Sequence, residues 1–320
     1  MHELALLIAA GIASGTPLLL AGLGLLLNER AGVVNLGAEG LMLIAAVAGF
    51  GIAFYTGQTS LALLGGALAA AVFSALLAWM VVYLNTNQYA SGLALSLFGA
   101  GISAFVGAAL VGKKLEIETS EKLPFLGDLP FFGPALFQQH TMVYIAVALC
   151  FGMVFFLHHT KTGRLLRGIG ESPASAHALG YPVQRIRWLS LVIGGAFCGL
   201  AGAYLSVIYA PLWVEGMVAG RGWIALALTV FATWRPWRVL MGAYLFGSVT
   251  MLQLHLQAIG IEIPTQFMSM LPYVATIIVL ALISRNPHWI RANMPASLGK
   301  PFILAKSDDD DGIMYTSPIN

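Results

Sequence analysis

Charge is what this sequence has least of. Asp, Glu, Lys and Arg make up 9% of its 320 residues, against about 25% in a soluble domain. With 58% hydrophobic residues and a mean hydropathy of +0.83, that scarcity excludes an ordinary soluble domain and places the chain in a bilayer. Cysteine is nearly missing. Cys150 and Cys198 both fall inside apolar runs, so neither a disulfide framework nor a thiolate metal site is expected. The start, Met1-His2-Glu3, has no basic region ahead of its apolar run, which argues for a retained first helix over a cleaved signal.

Motifs for chemistry are also scarce. The seven histidines form no H-x-x-x-H pattern and none stands at ligand spacing from a carboxylate, so no metal and no cofactor is expected. The run Gly107-Ala-Ala-Leu-Val-Gly112-Lys113-Lys114 approaches a phosphate-binding loop and fails it. Lys114 stands where the magnesium-binding hydroxyl belongs, and the run ends an apolar span instead of joining a strand to a helix. An ATPase, if one drives this chain, has to be a separate subunit. The chain itself reads as no enzyme, and nothing in it points to nucleic acid.

What the sequence does have is long apolar runs. About 20 apolar residues cross about 30 Å of hydrocarbon as a helix. Runs of that kind lie at about 4–27, 36–55, 60–84, 89–112, 140–157, 188–209, 239–256 and 266–283, with a shorter one at 219–233. The prediction is an all-α polytopic membrane protein of about nine spans, eight to ten being the range. Pro17 predicts a kink or break in the first. The short run is not long enough for a straight crossing, so either it begins in the interface or residues 210–220 dip back into the membrane.

The few charges orient the bundle. Cytoplasmic loops concentrate Lys and Arg, and the most basic loop, about 159–187, carries Lys161, Arg164, Arg167, Arg185 and Arg187. Placing it inside puts twelve of the sixteen Lys and Arg inside, with the N-terminus outside and the C-terminus cytoplasmic. The outside loop 113–139 then balances Lys113, Lys114 and Lys122 against Glu116, Glu118, Glu121 and Asp128. Residues 1–285 read as one permease domain, and 286–320 as a polar cytoplasmic tail expected to be disordered. Glycines spaced by four, Gly11 with Gly15 and Gly195 with Gly199, extended by Gly202, predict close helix contacts.

Inside the basic loop a short helix has both ends marked. Ser172 suits the N-cap, Pro173 the first helical position and Gly180 a left-handed C-terminal residue. Between them Ala174, Ala176, Ala178 and Leu179 give a small, smooth surface. Two readings fit: a docking surface for another protein, comprising Glu171, Ser172, Pro173, Ala174, Ala176 and Gly180, or a plain connector.

The run GIGESPASAHALG followed by GGAFCGLAGAY resembles the coupling loop and next helix of ABC importer permeases. The similar branch serves nucleosides, simple sugars and branched-chain amino acids. ERAGVVNLGAEGLMLIAA from Glu29, QYASGLALSLFG from Gln88 and GRGWIALALTVFATWRPWRVLMGAYLFG from Gly220 resemble the same branch, and its nucleoside-type members most. The resemblance implies a partner ATPase that moves the short helix, a second permease subunit, related or identical, an extracytoplasmic substrate-binding protein, and a bacterial inner-membrane setting.

Deep ionisable groups are costly in a membrane and mark function. Glu39 and Arg221 stand out. With Asn35 capping the second span, Glu39 falls in its first turn, where the helix dipole favours it; substrate contact is the other reading. Arg221 has Glu215 within reach as a partner. Polar side chains expected along a solute path are Asn87, Gln88, Ser91, Ser96 and Gln253, with Ser103 and Gln257, although helix-packing hydrogen bonds explain such residues as well. An ABC permease for sugars or branched-chain amino acids stays open beside the nucleoside reading, and an ion-coupled secondary transporter is the alternative function of another class. It would need buried carboxylates and repeated halves, and the sequence shows one deep carboxylate and no clear repeat.

Overall fold

A computed structural model describes residues 2–116, 127, 130–260, 267, 270, 274, 277–278, 281 and 293–303. Its helices in order are α1 (His2–Arg30), α2 (Ala38–Thr56), α3 (Thr59–Ala78), α4 (Gln88–Gly107), α5 (Thr141–His159), α6 (Lys161–Glu171), α7 (Pro173–Ala178), α8 (Val183–Tyr204), α9 (Arg221–Phe231) and α10 (Pro236–Ala258). Extended by single π- or 3₁₀-helical turns at α3, α4 and α8, seven of these are long and apolar enough to cross a membrane. They correspond to seven of the nine expected spans. The expected span at 266–283 lies largely outside the described residues.

Helix α1 is the centre of the bundle. Leu19, Leu20, Leu23, Leu25 and Leu26 on it are fully buried, and it packs against α8, α9 and α10. It runs through Pro17 as one continuous helix, so of the kink or break expected there the break is absent. In a bilayer, apolar side chains gain little by leaving lipid for protein, so close packing has to come from small residues. The expected glycine contacts supply it. A Cβ on Gly15 would come within 2.5 Å of the Ala243 carbonyl on α10, and one on Gly202 within 2.0 Å of the Met42 carbonyl on α2. Only hydrogen fits at either crossing.

The short span resolves as α9, 11 residues, or roughly 16 Å of rise at 1.5 Å per residue. Ahead of it, residues 210–220 fold back into the bundle. Trp213 is buried with Val47, Phe50 and Leu110, and by Gly220 the backbone has reached Glu39 on α2. At the opposite end of the bundle, α6 and α7 gather with Arg30, Arg187 and Arg235; this is the basic end. Part of the tail expected to be disordered is ordered there: residues 293–303 are hydrogen-bonded to α1, α6 and α8.

Candidate functional site

Residues on either side of the α1–α2 turn hold α9 at both ends. Glu39 lies in the first turn of α2, as expected, and its carboxylate reaches across to α9. Its Oε1 accepts from the Gly220 N–H at 2.8 Å and its Oε2 from the Gly222 N–H at 2.7 Å. Those donors belong to the first turn of α9, which has no intrahelical partners for them and carries the positive end of the helix dipole. The approach requires glycine, since a Cβ on Gly222 would lie 2.6 Å from the Glu39 Cα. Ten residues earlier, Glu29 is 2% exposed, and its Oε2 accepts from Thr229 Oγ1 at 3.1 Å and from the Trp234 indole N–H. Arg30 completes the grip, donating from Nη2 to the Trp234 carbonyl at 2.8 Å. The tight exit of α9 bends through Thr233 and Trp234, both left-handed at φ 50° and 53°; for a β-branched residue such as Thr233 that conformation persists only where its surroundings hold it.

Two expectations change here. Asn35 does not cap α2: the N-cap is Gly37, and the Asn35 Oδ1 accepts from the Gly37 N–H two residues on, forming a turn just ahead of the helix. Arg221 reaches back to the Met217 and Val218 carbonyls and over the Tyr209 ring instead of to Glu215. Glu29 was missed by the sequence reading, because Asn28-Glu29-Arg30 reads as the polar end of a span. The signal available was its place in a stretch whose other acid, Glu39, stands ten residues on.

The short helix of the basic loop forms as its end residues predict. Ser172 Oγ accepts from the Ser175 N–H at 3.3 Å, Pro173 opens α7, and Gly180 takes φ 84°. Ala176 is its buried residue, on Ile169 and Val183, while Ala174, His177, Ala178 and Leu179 face outward, Leu179 76% exposed. Just before it, Gly170 sits on the Arg30 carbonyl so closely that a Cβ would be 2.2 Å from the oxygen. The end of α6, the last residue of α1 and the exit of α9 are thus in direct sequence of contact. Beside them a groove of about 580 Å³ is lined by Arg30, His158, Arg167, Glu171 and Arg235.

Three of the expected path residues tie helices together. Ser96 Oγ accepts from the Gly40 N–H, Ser103 donates to the Leu43 carbonyl, and Gln88 Oε1 accepts from the Val34 N–H, all at the contact of α4 with α2 and the turn before it. Ser91 donates to Thr86 Oγ1, and Asn87 caps α4 by accepting from the Tyr89 and Ala90 N–H groups. Gln253 and Gln257 are half-buried on α10, away from these. Glu39 and Arg221, also half-buried, adjoin at the start of α9.

Seven apolar helices of crossing length among the described residues, interrupted by one half-length helix and bearing a capped, exposed helix at the basic end, have the make-up of a polytopic membrane permease. The chain belongs to the family described as branched-chain amino acid transport system / permease component, which matches residues 7–280. It is 38% identical to the putative glucose ABC transporter permease protein TsgC13 of Haloferax volcanii, over 91% of this chain and 95% of that one. It is 32% identical to the guanosine ABC transporter permease protein NupQ of Bacillus subtilis, over 95% and 98%. It is also 32% identical to the nucleoside ABC transporter permease protein NupC of Lactococcus lactis, over 88% and 93%. No solved structure matches the chain. The expected ABC importer branch and membrane setting are thereby shown.

Proposed function

We infer that this chain is the membrane subunit of an ATP-driven importer for a small neutral solute, most like a nucleoside. The observation that carries the coupling half is α7 itself: a capped helix exposed on its outer face and joined through Gly170 to Arg30. A partner ATPase docks on Glu171, Ser172, Pro173, Ala174 and Gly180 and, on closing over ATP, displaces α7; Ala176, expected in that set, is turned inward and buried on Ile169 and Val183. Gly170 passes that displacement to Arg30 and Glu29, which hold the exit of α9, and the turn before α2 passes it to Glu39, which holds the entrance. Solute moves past the face where Glu39 and Arg221 stay partly exposed. The Gln88, Ser91 and Ser96 hydrogen bonds serve packing in this reading.

The basic end faces the cytoplasm, so the N-terminus lies outside; twelve of sixteen Lys and Arg support this. Reporter fusions active only in the cytoplasm test it, and a signal from the N-terminal fusion alone would reverse it. A substrate-binding protein outside and a second permease subunit complete the complex. The nucleoside assignment is supported by the NupQ and NupC names. Sugar is the second reading, favoured by the 38% identical glucose relative.

The test is uptake into proteoliposomes holding this chain with its ATPase, second permease and binding protein. ATP-dependent nucleoside uptake that excess glucose leaves unchanged is expected. Uptake of sugar instead moves the substrate to the second reading. Uptake by this chain alone, or uptake abolished by collapsing the proton gradient at constant ATP, ends the ATP-driven one.

A further inference from the structure

Residues 293–303 come back to the basic end and cross between the α6–α7 corner and the turn that joins α1 to α2. Ser297 is the knot. Its N–H donates to the Gly170 carbonyl at 2.9 Å, its Oγ lies 2.6 Å from the same carbonyl, and the Oγ accepts from Arg187 Nη2 at 2.9 Å. Two residues on, the Gly299 N–H donates to the Gly32 carbonyl at 3.2 Å, inside the α1–α2 turn. The Lys300 carbonyl accepts from Arg187 Nη1 and from Gln88 Nε2, which also fixes the start of α4. The far end reaches the exposed helix: Phe302 packs on the cluster of Ile169, Ala176 and Val183, edge-on to the His177 ring at 5.8 Å.

Two features make this segment more than a packed terminus. Arg187 is only 3% exposed, and its guanidinium hydrogen bonds go to Ser297 and Lys300. A buried cation stripped of acceptors is strongly unfavourable, so the segment cannot lift away without exposing the root of α8. Among the helices, α7 otherwise meets chiefly its chain neighbours α6 and α8. Phe302 gives it a tie to something else.

We propose that residues 293–303 form a strap that binds α7 to the α1–α2 turn, so that a push on α7 reaches Gly32, Arg30 and Glu29 and through them α9. Phe302 is the positioning residue on the α7 side; Ser297 and Arg187 are those on the turn side. The strap rests on the importer reading, because it needs a partner that displaces α7. It adds a second route, parallel to Gly170, and places the transmission of force in a segment that carries no apolar span.

The experiment uses the complete importer in proteoliposomes and reads solute carried per ATP hydrolysed, together with the melting temperature of the purified complex. Phe302→Ala is expected to lower that ratio about tenfold, the size that contacts within one network reach, while hydrolysis stays within about twofold and melting is unchanged. Ser297→Ala lowers the ratio too, and Ser297→Thr, which keeps the hydroxyl, restores it. A ratio left intact by both alanine variants overturns the strap while the wild-type complex still supports the importer reading. So does parallel loss of hydrolysis, uptake and melting temperature, since that is the mark of a structural role. A wild-type complex in which uptake needs no ATP overturns the importer reading and the strap with it.

Discussion

Helices α9 and α7 are both short, and they are held in opposite ways. The 11-residue α9 lies within the bundle, and its ends are held by carboxylates from either side of the α1–α2 turn, Glu39 at its start and Glu29 at its exit. The six-residue α7 sits at the surface and ends itself with neighbours in sequence, Ser172 and Gly180. The difference is one of solvent. Water satisfies what a surface helix leaves unpaired, so α7 needs little more than local caps. A helix end deep in a membrane protein has no water to turn to, and its N–H groups must be met by side chains from elsewhere in the chain. The ends of α7 are therefore settled by its own neighbours in sequence, and those of α9 by the distant side chains that grip it.

That contrast breaks most visibly at Glu39. Glu39→Ala strands the Gly220 and Gly222 N–H groups, at about 1–3 kcal/mol for each buried donor. The expected result is a lower midpoint in detergent unfolding, partly recovered by Glu39→Gln, which keeps one acceptor; an unchanged midpoint would show that α9 does not depend on the clamp. Glu29→Ala comes next. The Trp234 indole loses its acceptor, again about 1–3 kcal/mol, whereas Thr229 keeps its bond to the Leu226 carbonyl at 2.7 Å. Its midpoint should fall less than that of Glu39→Ala, and the reverse order would place the main hold at the exit of α9.

On the α7 side the effects are smaller and local. Ser172→Ala removes the cap, worth about 1 kcal/mol. Hydrogen exchange across residues 173–178 should speed up with no change in the global midpoint, and a global loss would mean α7 is part of the core after all. Leu179→Asp, on a side chain 76% exposed, should shift stability by no more than about 0.5 kcal/mol. Affinity for the partner ATPase should nonetheless drop roughly tenfold, as at an interface anchor; equal affinity would free this face from docking.

How much was legible follows the same division. The Ser172, Pro173 and Gly180 signals predict α7 from a nine-residue window, because capping is a local interaction. Seven long spans and the glycine contacts were legible too, since apolar length and small-residue spacing are written along one helix. Glu39 was visible as a costly residue, yet its partner was not, because Gly220 and Gly222 lie more than 180 residues away. Glu29 was hidden by the ordinary look of a polar span end. Ser96 and Ser103 read as path lining until the α2–α4 contact used their hydroxyls, and Ser91 until Thr86, just ahead of α4, accepted from it. Nothing in Asn293–Ile303 marks a segment tied by Arg187, a residue more than a hundred positions earlier.

The sequence by itself determined that this is a helical membrane protein, where most of its crossings run and that a capped helix sits in its basic loop, because each depends on hydrophobicity, charge or hydrogen bonding within a few residues. Only the tertiary structure decided which acids grip α9, where the span after the 210–220 dip begins and what the 293–303 segment binds. Those outcomes depend on unpaired groups finding partners in a medium without water, and such partners are set by packing and not by nearness in the chain.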